Sequence, residues 1–323
     1  MLSVIALDVS GRVYALPAPA EMTLEQSLTT PCDALRLRCP ADALYPSFAR
    51  VSLAEGDSVL FTGVIDVQTT SADSDGWLLE LRARSDAAAL LDNEAAPATY
   101  MNPLFSDIFT RHAAPYGIAG FAGEDRRLEG PFQVEKGMSE WQVLERFARR
   151  AYGVLPRLDG NRLQLVPAGI GEPVIFSNTL AGARRYLGAR VCIRRHQPLS
   201  EVLTRADDLS PYALSFPDYG SLEQRISRRR VCVYAHMSIP QRKDAAAALL
   251  GGARAGWREV ELNTAEDSCP LGARLRLIDS RMGRFDTLLL VEESRGVSAA
   301  GDVTTLTCWP EEDYTYAINA GAL

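Results

Sequence analysis

Histidine is the side chain best suited to proton transfer and metal binding near neutral pH, and this chain has three of them. They stand far apart, at His112, His196 and His236, so no HxH or HxxxH spacing of metal ligands is present. A GxSxG nucleophile motif is absent as well. The spacing therefore predicts packed or surface histidines, without a ligand or general-base role.

Two short runs look like ligand loops. Asp73-Ser74-Asp75-Gly76 begins like a calcium loop, but the other ligands and the distal Glu are missing, so a hairpin turn is predicted. The run from Gly251 to Gly256 is glycine-rich, yet it follows a helical pattern and lacks the Lys-Ser/Thr that holds phosphate and magnesium. The sequence thus predicts no catalytic, metal-binding or cofactor-binding residue. Only a glycosidase-type carboxylate pair stays open, because its spacing exists only in the fold.

The cysteines lack CxxC spacing and a zinc-type histidine partner. We expect reduced, structural thiols, as in a protein made in a cytosol. A disulfide between Cys32 and Cys39 is disfavoured, because the alternation between them predicts one extended strand that keeps its ends apart. The full set is Cys32, Cys39, Cys192, Cys232, Cys269 and Cys308.

The chain of 323 residues has 34 Lys plus Arg against 41 Asp plus Glu, a net charge of −7, and 47% of it is hydrophobic. These values indicate two to three globular domains with real cores. A negative net charge argues against duplex-DNA binding by charge alone. No apolar run approaches the roughly 20 residues that span a bilayer, and the N-terminus alternates like a strand. Neither a membrane anchor nor a signal peptide is therefore expected.

Arginine supplies nearly all of the positive charge, because Lys136 and Lys243 are the only lysines. A GC-rich genome explains such a bias, and so do interface ion pairs, for which arginine is better suited than lysine. The arginines cluster without interleaved aromatic residues, which favours solvated strand faces or subunit ion pairs over nucleic-acid binding. The clusters are Arg184-Arg185, Arg194-Arg195-His196 and Arg228-Arg229-Arg230.

The elements that must position these residues change along the chain. Residues 1–95 alternate apolar and polar side chains in short runs with turn signals between them, and Ala34 to Cys39 is typical. Such spacing predicts a small antiparallel barrel or sandwich. Near its end, Ser85 is predicted to be the N-cap of a short helix.

Helical periodicity marks residues 96–170, which we expect to form an α+β connector. Pro103 is predicted to begin one helix. Ser139 and Gln142 form the capping box of a second helix, which ends at Gly153. A short hairpin follows.

Residues 171–323 return to period two. An alanine-rich helix from Gln241 to Leu250 interrupts the strands, and Gly251-Gly252 is expected to stop it. The segment after Pro310 is interpreted as an acidic and then featureless tail, and residues 205–230 receive no assignment.

A weak internal repeat links the first and third regions. Two series of three strands match in order, length and turn chemistry. They are Ala49–Leu53, Gly63–Val67 and Trp77–Ala83, and then Ala273–Leu277, Leu288–Val291 and Val303–Cys308. The repeat predicts two related β domains in one chain.

Two passages resemble one known family. Leu60–Val67, followed by Leu79–Asp92, resembles the strand, arginine-aspartate and short-helix passage of phage baseplate hub proteins. Lys136–Leu144, with Gly153 and Asp159–Leu163, is similar to that family's central G-x-S-x-W-x-x-L, G and D-G-x-L segment. The family is the late control protein D and tail-hub group of contractile phages, defective prophages and related injection particles.

The resemblance covers roughly residues 50–310. It departs from the family where those motifs usually carry more lysine, and in the 205–230 segment. The implied fold is mainly β with an α+β insert: two tail-tube-like antiparallel β-barrel domains, residues 1–95 and 171–323, joined by a helix-containing connector. The implied assembly is a homotrimer whose six barrels face a hexameric tail tube, with a trimeric central spike at the opposite end.

The implied function is structural, with no enzyme activity and no cofactor. Its partners would be further copies of the chain, the tail tube protein, the central spike protein and other baseplate proteins. DNA or an effector would pass through the lumen without specific binding, which the net charge permits. The implied location is the virion or a phage-like particle assembled in the bacterial cytoplasm. Trp77, Trp141, Trp257 and Trp309 are candidate interface anchors, with core positions as the alternative.

Two other classes of protein stay open. One is a tail-associated cell-wall hydrolase, which would release peptidoglycan fragments. The other is a secreted or surface β-sandwich binding module, which would be a strict monomer without affinity for tube or spike proteins.

Overall fold

The computed structural model describes residues 2–74, 76–165, 167–169, 171–207, 213–235, 237–265 and 269–321. Antiparallel strands predominate, which confirms the mainly β class. In the strand over Ala34–Ala41, Leu35, Leu37 and Cys39 are buried and the residues between them are more exposed, as in a sheet with one wet face. The strands of this first region are β1 (Leu2–Asp8), β2 (Val13–Leu16), β3 (Glu21–Ser27), β4 (Ala34–Ala41), β5 (Phe48–Glu55), β6 (Ser58–Asp73) and β7 (Gly76–Ser85).

Short helices and strands alternate after β7. They are α1 (Ala87–Asp92), β8 (Ala98–Met101), α2 (Phe105–His112), β9 (Gly120–Ala122), β10 (Pro131–Val134), α3 (Glu140–Tyr152), β11 (Arg157–Asp159) and β12 (Arg162–Gln164). The predicted ends of α3 are confirmed. Ser139 Oγ accepts the N–H of Gln142 at 3.2 Å, and Gln142 Oε1 accepts the N–H of Ser139 at 2.8 Å. Gly153 ends the helix with a φ of 68°.

The last region is again rich in strands. Its elements are β13 (Val174–Phe176), β14 (Gly188–Ile193), β15 (Glu201–Arg205), β16 (Leu214–Pro217), α4 (Tyr219–Glu223), β17 (Arg229–Val233), α5 (Ile239–Arg254), β18 (Arg258–Thr264), β19 (Arg274–Asp279), β20 (Gly283–Ser298), β21 (Gly301–Pro310) and α6 (Glu311–Asn319). The segment over 205–230, which the sequence pattern left unassigned, contains β16 and α4.

Two predicted helix starts are wrong by one or two residues. Ser85 belongs to β7, because its Oγ accepts the N–H of Asp33 at 3.1 Å, and Asp86 takes the N-cap position of α1. Helix α2 begins at Phe105 and not at Pro103. Its start is fixed by Asp107, whose carboxylate accepts the N–H of Leu104 at 3.0 Å.

Two predictions near the C-terminus are wrong in a more informative way. Helix α5 continues through Gly251-Gly252 to Arg254, although each glycine in a helix interior costs about 1 kcal/mol. The segment after Pro310 is helix α6, not a featureless tail. The ion pair between Arg254 of α5 and Asp313 of α6 explains both errors, because it stabilises segments that the local pattern disfavours.

The chain divides into two compact units. The first contains Met1–Pro167, Asn263–Leu271 and Val291–Leu306, and the second contains Ala168–Leu262, Gly272–Leu290 and Thr307–Leu323. Strands β20 and β21 each have residues in both units. The three-part division at residues 95 and 170 stays a prediction, and so does closure of the strands into barrels.

In the first unit, consecutive neighbours follow the order β3-β4-β7-β6-β5-β1-β2, and every pair is antiparallel. The second half of β20 joins this unit by pairing with β3. One face of the sheet forms a core that includes Leu37, Leu53, Phe61, Leu79 and Leu81. Burial of such side chains is worth roughly 1.5–3 kcal/mol each.

The predicted α+β insert lies within the first unit and has its own core. Phe105 of α2 and Phe132 of β10 each place their rings 5.4 Å from Phe147 of α3. Trp141 is buried in the same core. Strand β10 pairs with β8, and β9 pairs in parallel with β12. These aromatic contacts hold the helices against the small sheets.

In the second unit, β14 lies beside β18, and β19 lies between β13 and the first half of β20. A separate sheet has the order β16-β15-β17. Helix α5 packs on it through a small core of Leu199, Val202, Ala246 and Leu250.

The structure repeats one pattern of elements, as the sequence predicted. Strands β5, β6, β7 and helix α1 correspond to β19, β20, β21 and α6. Strands β6 and β20 have 16 residues each, and β7 and β21 have 10 each. Gly76 and Gly301 both begin their strands at positive φ, 126° and 117°. Arg50 opposes Val64 in the first repeat as Arg274 opposes Leu289 in the second.

The order of neighbours agrees as well. Around the first repeat it is β3-β4-β7-β6-β5-β1, and around the second it is β14-β18-β21-β20-β19-β13. In this correspondence β3 is equivalent to β14, and β4 is equivalent to β18. One difference is that β1 is antiparallel to β5, whereas β13 is parallel to β19.

We predict that Gly63→Ala lowers the free energy of unfolding by about 3 kcal/mol. A Cβ at Gly63, which opposes Ser85 at the end of the β6–β7 pair, would lie 2.1 Å from the backbone oxygen of Arg84. Gly120→Ala in β9 is the matched control, because no heavy atom lies within 4 Å of its Cβ position. Urea unfolding followed by circular dichroism measures both. Equal stability of the two variants would contradict the prediction.

Candidate functional site

His112, the last residue of α2, lies in a buried polar cluster of the first unit. His112 Nδ1 is 2.5 Å from Glu140 Oε2, and the Tyr116 hydroxyl donates to Glu140 Oε1 at 3.1 Å. The Tyr100 hydroxyl is 2.9 Å from His112 Nε2. His112 and Glu140 are 2% and 8% exposed. The cluster satisfies its own polar groups and links α2 to α3, so its geometry suits packing more than proton transfer to a substrate.

Of the other two histidines, His196 is exposed in the second unit, and His236 lies outside the described residues. Asp73 and Gly76 oppose each other where β6 turns into β7, as expected of a hairpin, and Asp75 lies outside the described residues. Within the described ranges, no group of three or more His, Cys, Asp and Glu side chains is placed to hold a metal ion. None of the described helices is long and apolar enough to cross a membrane.

The cysteines carry free thiols, as predicted. Burial raises the pKa of Cys32 and of Cys39 to about 11, so both stay protonated near neutral pH. Cys269 and Cys308 are also buried, whereas Cys192 is half-buried on β14. A buried, protonated thiol is a poor nucleophile, which leaves packing as the role of these side chains.

Several arginines of the predicted clusters form ion pairs or hydrogen bonds within the second unit. Arg194 forms a bidentate ion pair with Glu259 at 3.0 and 3.2 Å. Arg185, Arg195 and Arg228 donate to backbone oxygens. These are contacts within the chain, and the ion pairs between subunits stay a prediction.

Three of the tryptophans proposed as interface anchors belong to cores. Trp141, Trp257 and Trp309 are 3%, 4% and 9% exposed. Gly256 leaves the space that the Trp309 ring fills, since its Cβ position lies 3.1 Å from that ring. Trp77, at the start of β7, is 43% exposed and remains available to a partner.

Helix α6 is fastened by two arginines through one buried carboxylate. Asp313 accepts from Arg254 Nη2 of α5 and from Arg258 Nε of β18, both at 2.8 Å. The Arg254 guanidinium also lies 4.7 Å from the ring centre of Tyr316. Sequence reasoning missed this site, although the acidic run Glu311-Glu312-Asp313 directly after a proline is a typical helix start.

The contacts of Arg84 explain the arginine-aspartate part of the first passage that resembles the hub family. Arg84 of β7 makes bidentate contacts with Asp66 of β6 at 2.7 and 2.9 Å and with Asp92 of α1 at 2.8 and 3.0 Å. These contacts raise the pKa of the Arg84 guanidinium above its ordinary value. Through Arg84 of β7, the motif therefore joins the long strand β6 to helix α1.

Strands β6 and β14 are among the strands that have an unpaired backbone edge in the described ranges. Strand β6 pairs with β7 over Gly63–Asp73 and with β5 over Ser58–Val64. Its remaining edge, Val67–Ala72, is here named the β6 outer edge. Strand β14 has β18 as its neighbour on one side, and its other side is here named the β14 outer edge. Exposed edges of this kind are sites at which another strand can add.

Solved structures with the same fold are tail proteins. A tail protein from Neisseria meningitidis MC58 matches with a TM-score of 0.74 and 18% identity over 98% of both chains. The 43 kDa tail protein of prophage MuSo2 from Shewanella oneidensis matches with a TM-score of 0.73 and 17% identity, over 96% of this chain and 99% of that chain. No family model and no curated protein matches the chain.

A more distant match extends the comparison. An Escherichia coli component of the type VI secretion system, described as structurally similar to the T4 bacteriophage tail proteins gp27 and gp5, gives a TM-score of 0.57 and 10% identity. The match covers 96% of this chain and 76% of that chain. The chain thus has the fold of phage tail proteins.

We predict that Asp313→Ala lowers the free energy of unfolding by about 3 kcal/mol, because it leaves the buried side of two arginines without their carboxylate. The Asp313 side chain is 1% exposed. Glu312→Ala is the matched control: Glu312 also pairs with Arg258, but its side chain is 67% exposed, so a loss below about 1 kcal/mol is expected. Thermal or urea unfolding decides, and similar losses for both variants would contradict the account of α6.

A pH dependence follows from Asp279 in the second unit. The Tyr186 hydroxyl and the N–H groups of Met282 and Arg281 donate to its carboxylate and lower its pKa to about 2. Its ordinary pKa is near 4, so Asp279 stabilises the fold above about pH 4, and this contribution is lost as the pH falls to about 2. Asp279→Asn should reduce stability at pH 7 and flatten the fall in Tm between pH 4 and 2. A slope equal to that of the natural chain would contradict this.

Proposed function

We propose that this chain is the structural hub protein of a baseplate, in a phage tail or a phage-like contractile injection system. The observation that carries the proposal is the repeat of β5, β6, β7 and α1 as β19, β20, β21 and α6 within one chain. Similarity to tail proteins over nearly the whole chain supports it.

Two repeats per chain match a specific symmetry problem. A homotrimer would present six similar β domains to a hexameric tail tube, while its opposite end keeps three-fold symmetry for a trimeric central spike. Strand pairing around a closed ring would also cover exposed edges such as those of β6 and β14. In this proposal residues 1–95 and 171–323 are the tube-like domains and residues 96–170 are the connector.

The proposed role is non-enzymatic and needs no cofactor. His112 and the buried cysteines make structural contacts, which supports this role. The proposed partners are the tail tube protein, the central spike protein and other baseplate proteins of the late control protein D type of tail. The particle would assemble in the bacterial cytoplasm, and DNA or an effector would pass through its lumen. No described contact favours the cell-wall hydrolase or the surface binding module over the hub.

Native mass spectrometry of the purified chain tests the assembly. We expect a species of three times the 35.3 kDa chain mass, and co-purification with a tail tube protein and a spike protein from the same source when they are expressed together with it. A strict monomer that binds neither protein would overturn the hub proposal and favour a surface binding module.

An activity assay tests the enzyme alternative separately. The purified chain should release no soluble fragments from peptidoglycan. Release that is abolished by substitution of one carboxylate would establish a hydrolase in place of a purely structural role.

A further inference from the structure

One junction within the chain joins strands that belong to different repeats. Residues Glu292–Val297 of β20 pair antiparallel with Met22–Ser27 of β3. Arg295 strengthens this region of the first unit with a bidentate ion pair to Glu55 at 2.8 and 3.0 Å. The long strand of the second repeat, β20, therefore pairs with β3, the first strand in the order of neighbours around the first repeat.

The repeat predicts an equivalent junction with the roles of the two repeats exchanged. That junction is not among the strand pairs described within one chain. In the first repeat the long strand is β6, and in the second repeat the strand equivalent to β3 is β14. Both carry an unpaired edge, the β6 outer edge and the β14 outer edge. The β14 strand and the β6 outer edge each have six residues, as many as each partner pairs in the junction of β20 with β3.

We propose that the β6 outer edge of one copy pairs antiparallel with the β14 outer edge of a second copy. This proposal rests on the proposed hub function and names the surface that assembles it. Each chain carries both edges, so copies join head to tail, and a ring closes when the last β6 outer edge meets the first β14 outer edge. Around such a ring, junctions within chains alternate with junctions between chains.

The register follows from the repeat. Counted from the strand starts, Thr69 of β6 corresponds to Ser294 of β20, which opposes Glu25 of β3. Glu25 in turn corresponds to Cys192 of β14. Thr69 of one copy should therefore oppose Cys192 of the next. The same count places Ser71 opposite Arg190.

The composition of both edges suits strand addition. Val67, Thr69 and Ser71 are exposed, and the β6 outer edge has neither the lysine nor the proline that protects free edges. Arg190 Nη1 of β14 lies 3.7 Å from Glu261 Oε2, and the Arg190 side chain is still 63% exposed. A second cation placed opposite Arg190 would therefore be repelled, whereas the uncharged residues of the β6 outer edge are not.

A disulfide trap tests the register in the full chain. Opposed residues of antiparallel strands have Cα atoms about 4.5–5.5 Å apart, which a disulfide can bridge. Thr69→Cys should therefore cross-link to the native Cys192 of a neighbouring copy under mild oxidation, giving dimers and trimers on a non-reducing gel. Val59→Cys is the matched control, since Val59 is 63% exposed on the half of the same strand that pairs with β5. Adding Cys192→Ser to Thr69→Cys should abolish the product.

A charge placed at the junction tests the same register without a disulfide. Ser71→Lys places a cation opposite Arg190 and should raise the dissociation constant of the assembly at least about tenfold, because a trimer contains the junction three times. Ser71→Glu, of similar size, should leave the assembly intact. A natural chain that trimerises, with Thr69→Cys cross-linking no better than Val59→Cys and both Ser71 variants behaving alike, would overturn this junction and leave the hub proposal standing. A natural chain that stays monomeric would overturn both.

Discussion

The pairing of long strands along their whole backbone is the constraint on which the rest of this structure depends. Each repeat has a 16-residue strand hairpinned to a 10-residue strand. The first half of the long strand is satisfied by its own sheet, with β5 or β19. The second half pairs with the 10-residue strand on one side, and its other side needs a further partner. In the second repeat β3 is that partner, and the architecture of the chain follows from this need.

Side-chain contacts also hold the strands and helices in place. Arginines tie long strands to helices, as Arg84 does with Asp66 and Asp92, and Arg258 does with Asp313. Among the residues most able to do chemistry, His112 is held in the buried cluster with Glu140, and Cys32, Cys39, Cys269 and Cys308 are buried. These polar interactions thus fix how the strands and helices pack.

Local signals allowed much of the fold to be predicted from sequence. The capping box of Ser139 and Gln142, the stop at Gly153 and the alternation in β4 depend on neighbours in the chain, so the pattern contains them. Helix α6 and the continuation of α5 through Gly251-Gly252 depend on ion pairs between residues more than 50 positions apart, which no local pattern shows. The candidate surface was missed for a similar reason: an unpaired edge exists only once strand order is known.

The central claim is that two repeats per chain convert three-fold into six-fold symmetry. Cryo-electron microscopy of the purified chain, viewed down the axis of its assemblies, tests this most directly. The account predicts a ring of three chains with six similar lobes around an open lumen. Single-chain particles, or rings in which the number of lobes equals the number of chains, would contradict it.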